Sequence, residues 1–333
     1  MTATLTSPRP GAPAHTDKVL VNYEVRDGLA IITLNDPPAN TYTYEMFRQL
    51  DAAILDARMA DEAHVIVIRG HGEKFFSAGA NISMLNSVTP RFKYFFCLHA
   101  NETLSRLEQT PKLTIAALNG HTVGGGLEIA MACDMRIACR NAGKIGLPEV
   151  NLGVLPGTGG TQRLCRLIGK SAAIEFMVTG ETFSFEKAEE MGLVNHVFEK
   201  DGFWEQVQMY AKQFCPPNKA SKAVGAIKRS VQSGMDLPFE SALTLERELQ
   251  QQLFTEMKER IKEDDSSVPA PDGSFCYYTR FVTGGQHPLF CRLPRDGGDE
   301  QILIDGNALA KDHAYFRISN VAHSPDHRLI AYA

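Results

Sequence analysis

The sequence predicts an α/β body followed by a short β-rich tail, on three observations. Two segments, His64-Val-Ile-Val-Ile-Arg69 and Leu113-Thr-Ile-Ala-Ala-Leu118, are short and continuously apolar, as strands covered on both faces are. Segments with helical spacing alternate with them, and such alternation packs helices on parallel sheet. After about Ser266 both patterns stop, and short β-prone segments follow between Gly and Pro turn signals.

In chain order, Met1 to about Asp17 is rich in Pro, Ala and Thr and reads as a disordered leader. It lacks the apolar stretch of a signal peptide and the arginines of a transit peptide, so a cytoplasmic chain is expected. Val21–Arg26 and Leu29–Leu34 flank Asp27-Gly28, a strong hairpin signal. Tyr44 to Arg58 places Leu50, Ile54 and Leu55 on one helical face, and Phe92 to Leu107 is again helical. A Gly-rich turn, a helix from about Gly126 and a strand near Asp134 to Ala138 come next. Ser171 to about Phe254 reads as mostly helical, with Pro216-Pro217 as a break. In the tail, Phe275–Phe281, Pro288–Arg292, Ile302–Ile304 and Tyr315–Ile318 are the expected strands.

At 333 residues the chain is long enough to bury a substantial core. A formal charge of −5 and the lack of a dense Lys/Arg stripe argue against a nucleic-acid partner. No apolar run approaches the roughly 20 residues of a membrane helix, so no membrane partner is expected. The seven cysteines are scattered, odd in number and free of C-x-x-C pairs, which favours free thiols and no metal.

Three patches carry residue types suited to chemistry: Phe76-Ser-Ala-Gly-Ala-Asn81, Gly124-Gly-Gly-Leu-Glu128, and Gly146-Leu-Pro-Glu149 with the loop Pro156-Gly-Thr-Gly-Gly160. Glycines at a helix start remove Cβ atoms, so backbone N–H groups can face a ligand and, with the helix dipole, hold an oxyanion. A second N–H from Ala80 would complete a two-donor hole. Glu128 and Glu149 could supply acid–base chemistry beside an enolate, and an apolar enclosure would raise at least one pKa. Plainer readings stand beside these: Glu128 could merely complement the dipole, and Glu149 could be a solvated loop residue. Gly157-Thr-Gly-Gly-Thr161 lacks the Lys-Ser/Thr of a P-loop and the spacing of G-x-G-x-x-G, which rejects a nucleotide fold. His99 and His121 read as packing or hydrogen-bonding residues rather than bases.

Taken together the patches resemble the crotonase (enoyl-CoA hydratase/isomerase) superfamily. The match runs in order through Leu34–Ala39, Phe76–Ala80, Ile115–Gly120, Gly124–Glu128, Cys133-Asp134, Gly146–Glu149 and Leu155–Arg163. It continues to Gly192-Leu-Val194 and covers about Lys18 to Phe254. The resemblance implies a spiral of repeated ββα units with C-terminal helices, assembled as a homotrimer or a dimer of trimers. It assigns Ala80 and Gly125 to the oxyanion hole, and Glu128 and Glu149 to the acid–base pair, with Glu149 as proton donor. It also implies CoA or substrate contacts at Ala39, Ala78, Asn81, Ile82, Gly124, Pro148 and Gly157. The substrate would be an acyl-CoA thioester, and hydration of a trans-2-enoyl-CoA is the reaction that both glutamates favour. No cofactor is implied, because CoA belongs to the substrate.

The sequence departs from the family pattern in three places. The interval between Glu128 and Glu149 is one residue longer than in the animal mitochondrial members, with Gly143 as the expected insertion in a turn. Asn81 stands where Asp is common. After Leu245–Phe254 the usual basic terminal helices are missing, and Glu256–Pro269, Gly285-Gln-His287 and Ser324–Tyr332 resemble the amino-terminal propeller of oligopeptidase B. Residues 255–333 are therefore expected to be a fused partial propeller without peptidase activity. Rivals to a hydratase are an enoyl-CoA isomerase or other crotonase-fold lyase, and a non-catalytic chimera or RNA-binding relative.

Overall fold

The structure is a computed structural model that describes residues 18–260, 265–313 and 315–333. The leader expected at 1–17 lies outside the described residues. The chain divides into two compact units between Gln250 and Gln251.

The first unit opens on the expected hairpin, β1 (Val21–Arg26) antiparallel to β2 (Leu29–Leu34), turned by Asp27 and Gly28 at positive φ. Helix α1 (Tyr44–Met59) follows, its first turn capped by the Thr43 hydroxyl. Thereafter a strand of a large sheet is followed by a short strand of a small sheet and then by helix. The first such repeat is β3 (Val65–Gly70), β4 (Phe75–Ser77), α2 (Ile82–Ser87) and α3 (Pro90–Glu108). The second is β5 (Leu113–Leu118), β6 (His121–Val123) and α4 (Gly125–Met131). The third is β7 (Met135–Cys139), β8 (Lys144–Gly146), a 3-10 helix (Pro148–Leu152), α5 (Gly160–Ile168) and α6 (Lys170–Thr179). This is the ββα spiral that the resemblance implied.

Two short strands interrupt the stretch expected to be mostly helical: β9 (Thr182–Ser184), then α7 (Phe185–Glu190), then β10 (His196–Phe198). They complete the sheets, whose orders are β1-β2-β3-β5-β7-β10 and β4-β6-β8-β9. Helices α8 (Phe203–Lys212), α9 (Ser221–Gly234) and α10 (Phe239–Arg260) close the succession, and the break between α8 and α9 contains Pro216-Pro217.

The continuous apolarity of the central strands has a direct cause, because alternate residues feed two cores. Ile66 and Ile68 pack with α1 residues Phe47, Leu50 and Ile54 in one core; Val65 and Val67 pack with Phe203, Val207 and Ala211 of α8 in the other. The chain changes sheets at tight corners. A Cβ on Gly70 would lie 2.3 Å from the Phe75 carbonyl oxygen, so only glycine fits there. Asn119 clamps this corner by accepting from the Gly70 N–H (3.0 Å) and donating to the Gly70 and Gly72 carbonyls (2.9 and 2.6 Å).

The second unit holds an antiparallel sheet of β11 (Ala270–Asp272), β12 (Phe275–Arg280), β13 (Leu289–Pro294) and β14 (Gln301–Asp305). A short helix α11 (Gly306–Ala310) and a hairpin of β15 (Val321–His323) and β16 (Ile330–Tyr332) complete it. The strand expected at Tyr315–Ile318 does not form. Phe316 instead meets the rings of His287 and His313, and a β-prone segment without a neighbouring strand has nothing to make a ladder with. Glu300 grips Arg280 through two hydrogen bonds (2.8 and 2.6 Å), tying the residues just before β14 to β12.

In the first unit α9 is pinned by a buried ion pair. Lys228 Nζ lies 3.0 Å from Asp134 Oδ2 and donates to the Lys112 carbonyl (3.0 Å). Replacing Lys228 by Met strands the Asp134 carboxylate, and the expected cost is about 3 kcal/mol. Urea unfolding of the variant beside wild type reads this directly, and a loss below about 1 kcal/mol would mean that water already serves the pair.

Candidate active site

Four connections meet at the N-terminus of α4: the loop after β4, the β6–α4 turn, the 3-10 helix after β8, and the loop 156–160 before α5. Their meeting follows from the spiral, because the parallel strands β4, β6 and β8 of the small sheet deliver their ends to one side.

The loop after β4 is held from α1's entry. The Tyr42 N–H donates to the Gly79 carbonyl and the Tyr42 carbonyl accepts from the Asn81 N–H, both at 2.9 Å. In such a parallel bridge the intervening Ala80 turns its own N–H away from Tyr42. The Gly125 N–H, in the first turn of α4, has no intrahelical acceptor by construction. The segment that carries Ala80 runs close to this turn, because a Cβ on the preceding Gly79 would come 2.8 Å from the Gly125 nitrogen. The half-buried Ala39 and Ala78 join the same wall through a 2.9 Å bond from the Ala78 N–H to the Ala39 carbonyl.

The glycines at 124–126 have a packing role that the sequence does not reveal, because protein atoms occupy the space beside each. An added Cβ would meet Glu149 Oε1 at 3.2 Å from Gly124, the Tyr42 hydroxyl at 2.1 Å from Gly125, and the Ser77 carbonyl oxygen at 2.2 Å from Gly126. The triplet lets α4 seat against β4, Tyr42 and Glu149.

Glu128 is 1 % exposed, and its Oε1 accepts from the backbone N–H groups of Thr158 and Gly160, both at 2.7 Å. Thus the backbone N–H groups of the Gly-rich loop cradle a side chain of this chain's own, the carboxyl group of Glu128. Burial raises the Glu128 pKa, while those two bonds and the Arg163 charge pull it down. Arg163 is itself fixed by two 2.7 Å bonds to Glu108 and a 2.9 Å bond to the Thr158 carbonyl.

Glu149 stands in a different environment. It lies in the first turn of the 3-10 helix that Pro148 opens, and its buried Oε2 has no hydrogen-bond partner among the described residues. Burial pushes its pKa up to about 7; a bond from its own backbone lowers it, and the Glu128 charge raises it. One carboxylate is therefore anchored, and the other is free to hold a proton near neutrality.

The remaining expected contacts lie further out. Asn81 caps α2, its Oδ1 accepting from the Met84 N–H at 2.9 Å, so the departure from Asp preserves the cap. Ile82 is 56 % exposed. Gly157 is exposed, and its carbonyl accepts from Asn101 of α3 at 3.3 Å. His121 is a hydrogen-bonding residue as expected, its Nδ1 accepting from the Lys144 N–H (3.1 Å). Sequence reasoning missed Tyr42, Thr158, Gly160 and Arg163. Only Thr158 and Gly160 left a signal, a Gly-rich turn just before a helix start. Among the described residues no cluster of His, Cys, Asp and Glu could hold a metal, and no helix is long and apolar enough to cross a membrane.

Comparison with known proteins places this geometry. Residues 24–266 match the family described as enoyl-CoA hydratase/isomerase, and residues 239–333 match the prolyl oligopeptidase N-terminal beta-propeller domain. The two matches overlap on α10. The chain is 36 % identical over 229 residues to the short-chain-enoyl-CoA hydratase of Clostridium acetobutylicum, spanning 68 % of this chain and 87 % of that one. It is 33 % identical over 224 residues to the crotonyl-CoA hydratase of Syntrophomonas wolfei, spanning 67 % and 85 %. An enoyl-CoA hydratase structure from Bacillus anthracis superposes with a TM-score of 0.67 at 29 % identity, covering 74 % of this chain and 93 % of the other.

The raised pKa of Glu149 carries a sign that can be measured. Its folded value of about 7 exceeds the ordinary 4.5, so the folded chain binds this proton more tightly than the unfolded chain does. That contribution is complete below 4.5 and is lost as pH rises through 7. The melting temperature of Glu149→Gln relative to wild type should therefore increase between pH 5 and pH 8. A difference that stays flat over this window would show that Glu149 is ionised throughout.

Proposed function

The chain belongs to the enoyl-CoA hydratase/isomerase family, and from that premise we propose that it adds water across the C2–C3 double bond of a trans-2-enoyl-CoA to give the 3-hydroxyacyl-CoA. The observation that carries this reading is the unlike pair of carboxylates at one helix N-terminus. Glu128 has one oxygen held by two N–H groups, and Glu149 has a buried oxygen without a partner.

In this reading the thioester oxygen accepts from the Ala80 and Gly125 N–H groups, which stabilise the charge that develops when C3 is attacked. Each such donor is worth about 3–4 kcal/mol in comparable sites. Glu128 accepts a hydrogen bond from the attacking water through its second oxygen and turns the lone pair toward C3. Glu149 delivers the proton to C2, and a pKa of about 7 lets it be protonated and still give the proton up at neutral pH. The proton lost by water returns Glu149 to its starting state, so the addition balances without a separate cofactor. Ala39, Ala78, Asn81, Ile82, Gly124, Pro148 and Gly157 are proposed to line the thioester and CoA path. No step is assigned to residues 255–333.

We also propose assembly into a homotrimer or a dimer of trimers. Exposed apolar side chains on the 3-10 helix, the loop after it and α6 support this: Leu152 (66 %), Leu155 (69 %) and Val178 (62 %) are a surface that a partner copy would cover.

Glu149→Gln keeps the shape of the side chain but cannot deliver a proton. Hydration of crotonyl-CoA by this variant should fall at least about 100-fold with little change in substrate binding. Steady-state absorbance of the enoyl thioester gives the rate. Product analysis on 2-enoyl and 3-enoyl thioesters separates hydration from double-bond shift; a wild-type chain that only interconverts the two alkenes would sink the hydratase reading.

A further inference from the structure

Tyr42 lies outside the expected set of site residues, yet it touches both oxyanion-hole segments and the loop that holds Glu128. Its backbone grips both sides of Ala80 through the bonds to Gly79 and Asn81, each 2.9 Å. Its ring fills the space a Cβ on Gly125 would need, the hydroxyl lying 2.1 Å from that position. The hydroxyl also sits 3.2 Å from Thr158 Oγ1, and the Thr158 N–H donates to Glu128 Oε1 at 2.7 Å. The side chain is 4 % exposed and is wedged edge-on against Phe47, with ring centroids 4.7 Å apart.

We propose that Tyr42 is a positioning residue that sets the two oxyanion donors and the Glu128 carboxylate in one register. This rests on the hydratase reading given above for those three groups. A neutral phenol suits the role. Burial, together with the charges of Glu128 and Glu149, pushes the Tyr42 pKa up, so the hydroxyl keeps its proton and can donate to Thr158. A phenylalanine here would still pack on Phe47 and lie beside Gly125, but it could not reach Thr158. The Thr158–Gly160 cradle would then lose its link to α1's entry, and Glu128 would be held less firmly.

The test uses the full chain and three variants: Tyr42→Phe, Thr158→Val and the double variant. Each single variant should lower kcat for crotonyl-CoA about five-fold, the kinetic equivalent of one ordinary hydrogen bond, with KM within about two-fold. The double variant should be no slower than either single one, because both remove the same link. Thr158→Ser, which keeps the hydroxyl, should restore the rate. Amide exchange read by mass spectrometry supplies a measure independent of the reaction. Tyr42→Phe should speed exchange in peptides covering 125–128 and 157–160 while leaving the strands of the large sheet unchanged. Exchange that is unaltered at these segments, or faster everywhere, overturns the proposal, as does a double variant whose losses multiply. A wild-type chain inert toward crotonyl-CoA is instead a failure of the hydratase reading, and the exchange data still decide the role of Tyr42.

Discussion

A carboxylate that is almost wholly buried needs donors where water would otherwise serve it. Glu128 obtains them from the backbone of Thr158 and Gly160, and much of the first unit's architecture follows from that requirement. The loop 156–160 must turn back over α4, so α5 begins at Gly160, directly beside the carboxylate. Arg163, one turn further along, then reaches both the Thr158 carbonyl and Glu108 of α3. The anchoring of one side chain thus runs through a chain of donors from α4 to α5 to α3. A displacement of any of these helices would be felt at the carboxylate as a lost hydrogen bond worth one or more kcal/mol.

Glu149 shows the opposite arrangement at close range. Among the described residues no donor meets its Oε2, and the neighbouring Glu128 discourages a second negative charge. Burial raises the pKa of both groups, but their hydrogen bonding differs: Glu128 is held by two backbone donors, and Glu149 Oε2 has none among the described residues. The asymmetry comes from one carboxylate lying under a loop of N–H groups while the other stands clear of that loop.

Several features of this fold were legible in the amino-acid order because they depend on local chemistry. Asp27-Gly28 adopts the positive φ that a tight hairpin requires, and the runs at 65–70 and 113–118 are strands because both of their faces meet apolar neighbours. The positions of Glu128 and Glu149 came from motif resemblance rather than from any periodicity, since both sit beyond strand ends where the pattern is silent. Tyr42 could not be found this way: among Thr41, Thr43 and Tyr44 nothing marks it, and its importance arises from Gly125 and Thr158, far along the chain. The packing role of the glycines at 124–126 is invisible in the sequence, because only three-dimensional packing reveals which atoms fill the space beside each one. Tyr315–Ile318 failed for a related reason: strand formation depends on a partner, and composition cannot supply one.

The close seating of α4 against Tyr42, Ser77 and Gly79 has a bearing on how such a protein diverges under selection. Positions 79, 125 and 126 each have a backbone or ring atom inside 3 Å of where a Cβ would stand, so drift at these sites is blocked whatever the substrate. Ile82, Leu98 and Val150 carry no such restriction, being more than two-fifths exposed. Change would accordingly accumulate at such exposed positions while the inner wall stays fixed, so related chains could differ widely outside long before they differ around α4.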